Sequence, residues 1–235
     1  MNIRVNHIVS SIDNSSGGPA RSVTHLIETI LDNDKDIKIS LNTLESNNPI
    51  IKSFDSINGA LYFNQSGFLE YSKSLNINLL ESNSNLFHGH GLWQLPVHQM
   101  AKIARKLKKP YIITPRGMLE PWSLTQGKLK KQLALNLFQF NDLKKATCIH
   151  ATSLMEVKSI RNLGFKNPIA MIPNGVNLNE FPETVSIKCT KRKKILFLSR
   201  IHVKKGIENL IEAWKLIDVS KRESWEIEIV GNGEI

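Results

Sequence analysis

The chain is 235 residues long, 41% hydrophobic and 22% charged, the balance of a globular protein with a sizeable core, which excludes disordered and collagen-like classes. Its 31 Lys+Arg against 21 Asp+Glu leave a net charge of +10 and favour a polyanion or an anionic membrane surface as partner. Zinc-finger spacing, an RNA-recognition signature and regular basic-aromatic interleaving are missing, so no nucleic-acid partner is expected.

Short β-rich runs alternate with segments of helical period along the chain, the pattern of a parallel sheet with crossover helices. Met1 to Ile12, interrupted by Arg4, Asn6 and His7 and followed by Asp13, lacks the continuous apolar core of a secretory signal, and Ile3 to Ser10 is expected as the first strand of a cytoplasmic protein. The first helix is expected to start at the glycines, with Gly18 as cap and Pro19 at the first helical position, where a missing N–H does no harm. Val23, Leu26, Ile27, Ile30 and Leu31 form its apolar stripe, opposite Arg21, Thr24 and Glu28. Strands are expected at Ile37 to Leu44, Ala60 to Phe63, Asn85 to His88, Tyr111 to Thr114, Thr147 to His150 and Ile169 to Ile172, while residues 42–85 are rich in Asn and Ser and less clearly patterned.

A helix from Val97 to Lys109 would bury Met100, Ile103, Ala104 and Leu107 and crowd Lys102, Arg105, Lys106, Lys108 and Lys109 on its remainder. With Lys128, Lys130 and Lys131 this surface is either a solvated basic face or a contact for anionic lipid headgroups. Ser153 and Glu156 read as a capping box, and Gly164 as the stop of that helix. Cys148 and Cys189 have no metal-like spacing and are expected to be inert thiols. Apolar runs such as Ile195 to Leu198 are strand-sized, against about 20 residues for a membrane span.

After Ile172 a polar stretch with Pro182 and the basic run Lys191 to Lys194 marks a domain boundary. Residues 1–182 are expected as a Rossmann-like first domain and residues 190–235 as part of a second, with strand Ile195 to Ser199, helix Gly206 to Ile217 and strand Trp225 to Val230. A βαβ unit of about 40 residues leaves a parallel sheet poorly covered, so a truncated domain, or one docked on the first, is expected.

Three segments carry candidate chemistry. Gly17 and Gly18 precede a helix start, where they serve either as a simple tight turn or as a close approach for a phosphate. His88 and His90 lie two apart and share a strand face; a neutral histidine there can donate to a sugar hydroxyl or exchange a proton, and His90 is nearer the tip. A metal pair is the rival, but no third ligand with plausible local spacing follows, and His98 belongs to the next helix. Arg200 and Lys205 bring two cations to one helix start, either as solvated charges or as partners for a departing diphosphate.

The Gly17-Gly18-Pro19 loop, His88-Gly89-His90-Gly91, Pro173-Asn174-Gly175-Val176 and the loop from Arg200 to Lys205-Gly206 occur in the order and context of family 4 glycosyltransferases, which the chain resembles over nearly its whole length. Thr114-Pro115-Arg116-Gly117-Met118-Leu119 resembles a variant in polysaccharide-assembling members, where this loop lies near the acceptor. The resemblance implies an α/β protein of GT-B type, with a doubly wound parallel sheet and an incomplete second Rossmann-like domain. It implies retaining, hexosyl-type transfer from a nucleotide-diphosphate-sugar to a glycan or lipid-linked glycan, with no required metal or cofactor. By position, Gly17 and Gly18 would face the diphosphate or acceptor, His90 the transferring sugar, and Arg116 and Asn174 the acceptor side, while Arg200 and Lys205 would hold the diphosphate. The two helix starts are then expected to converge on one pyrophosphate, in a cytoplasmic enzyme peripheral to the inner face of the membrane. The family's downstream pair of glutamates is not matched: Glu226 and Glu234 have its spacing but bracket a strand and turn, so a non-catalytic remnant is the competing expectation.

Overall fold

The computed structural model describes residues 3–178 and 193–233. The chain divides into two compact units, Met1–Val176 and Asn177–Ile235. The boundary expected between residues 182 and 190 lies outside the described residues, as do Cys189 and Glu234.

The first unit runs β1 (Ile3–Val9), α1 (Gly18–Asn33), β2 (Ile37–Leu44), β3 (Gly59–Asn64), α2 (Lys73–Glu81), β4 (Leu86–His90), α3 (Leu95–Lys106), β5 (Tyr111–Thr114), α4 (Pro121–Thr125), α5 (Lys128–Ala134), α6 (Phe140–Lys144), β6 (Cys148–Ala151), α7 (Leu154–Asn162) and β7 (Ile169–Met171). Its seven strands are parallel, in the order β3-β2-β1-β4-β5-β6-β7. Successive strand residues point to opposite faces, so Ile8 and Val9 feed different layers. Val9 packs with Ile39, Leu41 and the Val23, Ile27 and Leu31 stripe of α1, whereas Ile8 packs with Phe87, Ile113 and the Val97 and Met100 side of α3. Gly89 allows that second contact: a Cβ there would stand 2.6 Å from Met100 and 2.8 Å from Val97.

Polar side chains in the interior are tied down. Asn6, Asn42, Asn64 and Asn78 pass an amide ladder across β1, β2 and β3 to α2, with steps of 2.9, 3.1 and 2.8 Å. The fully buried Asp142 of α6 accepts from Arg105 at 2.8 Å and is paired with His98 at 2.7 Å, while its carbonyl accepts from the Tyr111 hydroxyl. These contacts fasten α6 to α3 and β5.

Several expectations shift in register. The α1 cap is Gly17, one residue before Gly18, because Gly17 takes the positive φ of 77°. Thr24, placed on the polar face, is buried and satisfied by donating to the Ala20 carbonyl. The α3 helix spans Leu95–Lys106 rather than Val97 to Lys109, with Pro96 in its first turn and a left-handed Lys108 just past its end. Half of the capping box forms: Ser153 accepts from the Glu156 N–H at 3.2 Å, but the Glu156 carboxylate turns instead to the N–H groups of Thr152 and Gly117, at 2.7 and 2.6 Å.

The second unit contains β8 (Lys193–Leu198), α8 (Ile207–Lys215), α9 (Val219–Arg222) and β9 (Trp225–Val230), with β8 and β9 parallel. Leu196, Leu198, Ile229 and Val230 are exposed, as befits two strands with few covering helices. Among the described residues no helix is long and apolar enough to cross a membrane.

Candidate functional site

The strand order reverses between β1 and β4, and in open α/β sheets ligands bind beyond the carboxyl ends of the strands at such a switch point. The loop after β1 is held by Asp13, whose carboxylate accepts from the Ser15 N–H and hydroxyl at 2.9 and 2.6 Å, from the Ser46 hydroxyl at 2.6 Å and from the Asn48 N–H at 3.1 Å. These bonds, that from the Ser15 hydroxyl first, hold the Asp13 pKa well below the ordinary carboxylate range. The loop delivers Gly17, and α1 starts there without a side-chain cap. Its first-turn N–H groups, apart from proline's missing one, are available to an anion. A Cβ on Gly17 or Gly18 would meet nothing within 4 Å, so Gly17 is required by its backbone angle and Gly18 leaves open space.

Arg116, after β5, also has positive φ, 55°. Glu156 holds that turn by accepting from the next N–H, of Gly117. The guanidinium reaches back across the sheet end: Nη1 donates to Ser22 Oγ in the first turns of α1 at 2.7 Å and to Asn174 Oδ1 at 3.3 Å, and Nη2 donates to His90 Nδ1 at 3.2 Å. All three acceptors are neutral, and Nε is buried with no partner. Burial, opposed by the nearby Glu156 carboxylate, lowers the Arg116 pKa to about 10, leaving it charged at neutral pH. A sequestered guanidinium without a bonded carboxylate, beside an uncapped helix start, is suited to an incoming anion.

Beneath Arg116 lies a layer of histidines. In the parallel register His7 stands opposite His88, Val9 opposite His90 and His90 opposite Thr114, so these side chains share a face. His7 Nδ1 is 2.9 Å from His90 Nε2. His88 Nε2 is 2.7 Å from Thr114 Oγ1, which is 3.0 Å from His150 Nδ1, and His150 Nε2 is 2.8 Å from the Ile172 carbonyl. Burial, then nearby positive charge, lowers the His7 pKa to about 3 and pushes His88 and His90 well below the ordinary range, so all three are neutral at pH 7.

The third histidine escapes a search for local spacing because it lies 83 residues before His90, on the neighbouring strand. His7, His88 and His90 each bring one nitrogen to within 4.8 Å of the others, as a metal site would. The trio contains no carboxylate, and Arg116 donates to the far nitrogen of His90, where metal-binding histidines ordinarily donate to an acceptor. These surroundings suit neutral imidazoles better than a cation. His98 is engaged by Asp142 on another face of α3.

Of the expected site residues, the first unit thus brings together Gly17, Gly18, His90, Arg116 and Asn174. His7, Ser22, Thr114, His150 and Glu156 join them: strand register brings in His7, Thr114 and His150, the Arg116 guanidinium brings in Ser22, and the Gly117 N–H brings in Glu156. A groove of about 460 Å³ lined by Arg4, Lys38, Tyr62 and Glu81 opens at the amino ends of β1 and β2, away from this cluster. In the second unit, Arg200 follows β8 and Lys205 ends a single 3-10 turn, Val203–Lys205, before Gly206 and α8; both cations are exposed at one strand-to-helix junction.

A doubly wound parallel sheet with an uncapped helix start and a guanidinium at its switch point defines a Rossmann-like α/β domain. The model of Glycosyltransferase Family 4 matches residues 16–180, well over half of the chain, and the chain belongs to that family. No curated protein matches the chain. Among solved structures it is similar to Anabaena HepE in complex with UDP and glucose, at 14% identity and a TM-score of 0.60 over 99% of this chain and 62% of that one. It is also similar to the E. coli trehalose-6-phosphate structure bound with UDP-2-fluoro glucose (10% identity, TM-score 0.57, 98% and 65% covered) and to the S. aureus MnaA co-structure with UDP (12%, 0.52, 99% and 63%). At these identities the likeness shows the fold, a GT-B type with a Rossmann-like first unit and part of a second. The chain spans less than two thirds of each of those structures.

Proposed function

We propose that the chain belongs to a glycosyltransferase that moves a hexosyl unit, with retention, from a nucleotide-diphosphate-sugar to a glycan or lipid-linked glycan. The observation that carries this reading is the Arg116 guanidinium, bonded only to neutral acceptors beside the bare start of α1. Family membership supports the reaction class, and the UDP-bound similar structures support a nucleotide-sugar donor. In this reading Gly17 and Gly18 admit a phosphate to backbone N–H groups, and Arg116 with Asn174 holds the phosphate of a lipid-linked acceptor, for which inorganic pyrophosphate is the probe. His90 faces the transferring sugar, and Arg200 and Lys205 neutralise the departing diphosphate, which is electrostatic catalysis needing no metal. The basic face of α3 and the lysines of α5 serve as a peripheral contact with an anionic cytoplasmic membrane face.

Calorimetry with inorganic pyrophosphate, UDP and GDP tests the reading. The chain is expected to bind pyrophosphate, and Arg116→Ala to weaken that binding by about tenfold or more, as for other lost charge-assisted pairs. Absence of heat with all three, while an acceptor glycolipid still binds, would instead mark a non-catalytic binding module.

A further inference from the structure

We propose that His7 is a positioning residue: it holds His90 in the tautomer that accepts from Arg116, and so keeps the guanidinium at the switch point. The inference rests on the reading of Arg116 as the anion-binding group, and chemistry fixes the donor and acceptor roles at the end of each hydrogen-bonded string. A guanidinium only donates, so His90 Nδ1, 3.2 Å from Arg116 Nη2, must offer its lone pair. A neutral imidazole with a bare Nδ1 carries its proton on Nε2. That N–H points at His7 Nδ1, 2.9 Å away, so His7 accepts there and carries its own proton on Nε2.

The second string is read from its opposite end. The Ile172 carbonyl only accepts, so His150 donates from Nε2, and with its ring uncharged it accepts at Nδ1 from the Thr114 hydroxyl. The Thr114 oxygen then accepts from His88 Nε2–H. Two strings with independent ends therefore assign one tautomer, Nε2–H, to four imidazoles when all four are uncharged. They run side by side where the His88 and His90 rings stand 4.1 Å apart, and they end at Arg116 and at Ile172, two residues before Asn174. Burial supports the same picture by keeping His7, His88 and His90 uncharged.

The consequence for His7 follows from removing its lone pair. His90 Nε2–H would then be a buried donor without an acceptor. The ring could relieve that only by moving its proton to Nδ1, where it would confront the Arg116 N–H and break the bond that holds the guanidinium. Asn at position 7 can place Oδ1 where His7 has Nδ1, since both atoms hang from Cγ, whereas Phe keeps the ring shape and offers no acceptor. A merely space-filling role predicts that Phe is the better replacement; a positioning role predicts Asn.

The test uses 15N-labelled whole chain without ligand. Long-range 1H–15N correlation of the imidazoles is expected to show Nε2–H at His7, His88, His90 and His150, and the Arg116 side-chain N–H signals are expected to exchange slowly. His7→Asn should preserve both signatures. His7→Phe should lose the single His90 tautomer, speed Arg116 N–H exchange, and weaken pyrophosphate binding by about tenfold through the misplaced guanidinium. Nδ1–H or imidazolium at His90 in the unsubstituted protein overturns the inference, as does His7→Phe with His90 and Arg116 signals unchanged. If His7→Phe does not fold, the His90 tautomer in the native chain and in His7→Asn decides. Native signatures as expected, together with no pyrophosphate binding, would uphold the His7 inference and defeat the anion reading of Arg116 instead.

Discussion

Arg116 Nη2 lies 3.2 Å from His90 Nδ1, so the part-buried guanidinium leans on an imidazole, while the Glu156 carboxylate favours its charge from nearby without bonding to it. The arrangement works only while the imidazole is neutral, and this makes stability depend on pH. The His7 pKa falls from 6.5 to about 3 on folding, and His88 and His90 shift in the same direction, chiefly through burial. Between those values the unfolded chain binds more protons than the folded one, so stability is complete above pH 6.5 and is lost as pH falls toward 3. Each such imidazole contributes a slope of about 1.4 kcal/mol per pH unit over its window. Urea unfolding at pH 7.5, 6.0 and 5.0 is expected to show this decline, and His7→Asn to make it shallower. Stability that stays flat from pH 7.5 to 5.0 would contradict the neutral-histidine layer.

Asp142 has the opposite character: a charge buried in the first unit and matched by charge. With its carboxylate bonded to Arg105 and His98, Asp142→Ala leaves the guanidinium of Arg105 without its counterion and removes the tie between α6 and α3. The expected loss is about 3–5 kcal/mol, the range for breaking a buried pair by removing one partner. The exposed pair Lys215–Glu212 offers the contrast, since Glu212→Ala should change stability by less than about 1 kcal/mol. Urea unfolding of both variants checks the ordering, and equal effects would mean that Asp142 is solvated in solution.

In the second unit the prediction concerns binding. Arg200 and Lys205 are exposed at the junction of β8 and α8, where a diphosphate would meet two cations and a helix start. In a protein whose second unit is extended to the length of its structural relatives, Arg200→Ala and Lys205→Ala are each expected to weaken nucleotide diphosphate binding. Each should also lower transfer by about a hundredfold, roughly 3 kcal/mol, the scale for removing one transition-state partner. Calorimetry with UDP and GDP reads the first effect; unchanged affinity in both variants would defeat the assignment.

Strand positions were legible because each buried strand is a compact apolar run between polar turns. The bounds of Ile37–Leu44, Tyr111–Thr114 and Trp225–Val230 coincide with those read from the sequence. The helices from Pro121 to Lys144 were not legible: α4 and α6 have five residues each and α5 has seven, and the large apolar side chains of α5 face solvent, so no stripe toward a core appears. Gly17, Gly18 and His90 stood out through local spacing. His7 did not, because its tie to His90 crosses two parallel strands, and parallel pairing leaves no mark at any fixed separation along the chain. The Ser153–Glu156 spacing marks a capping box, of which only the Ser153 half forms; the Glu156 carboxylate serves Thr152 and Gly117, and the second of these sets the backbone that aims Arg116.

Those same exposed apolar residues sharpen the expected membrane contact. Leu129, Leu133 and Leu137 recur every four residues and are 87%, 61% and 70% exposed. Lys128, Lys130, Lys144 and Lys145 are exposed along the same segment, and from Pro121 to Ala151 the sole acidic residue is Asp142, buried and paired. An apolar row flanked by cations, with no exposed anion, matches the surface of an anionic bilayer. Sedimentation with phosphatidylglycerol-containing vesicles is expected to carry the chain down, with neutral phosphatidylcholine vesicles recovering less. Raising salt well above about 0.1 M should release it in part, because exposed charges are screened within a Debye length. The double variant Leu133→Ser with Leu137→Ser is expected to lower partitioning by about tenfold or more, since each leucine withdrawn from water contributes on the order of 1 kcal/mol even when half its surface was already covered. Equal recovery on neutral and anionic vesicles, or no loss in the double variant, would leave this helical row to a protein partner and remove the bilayer from the reading.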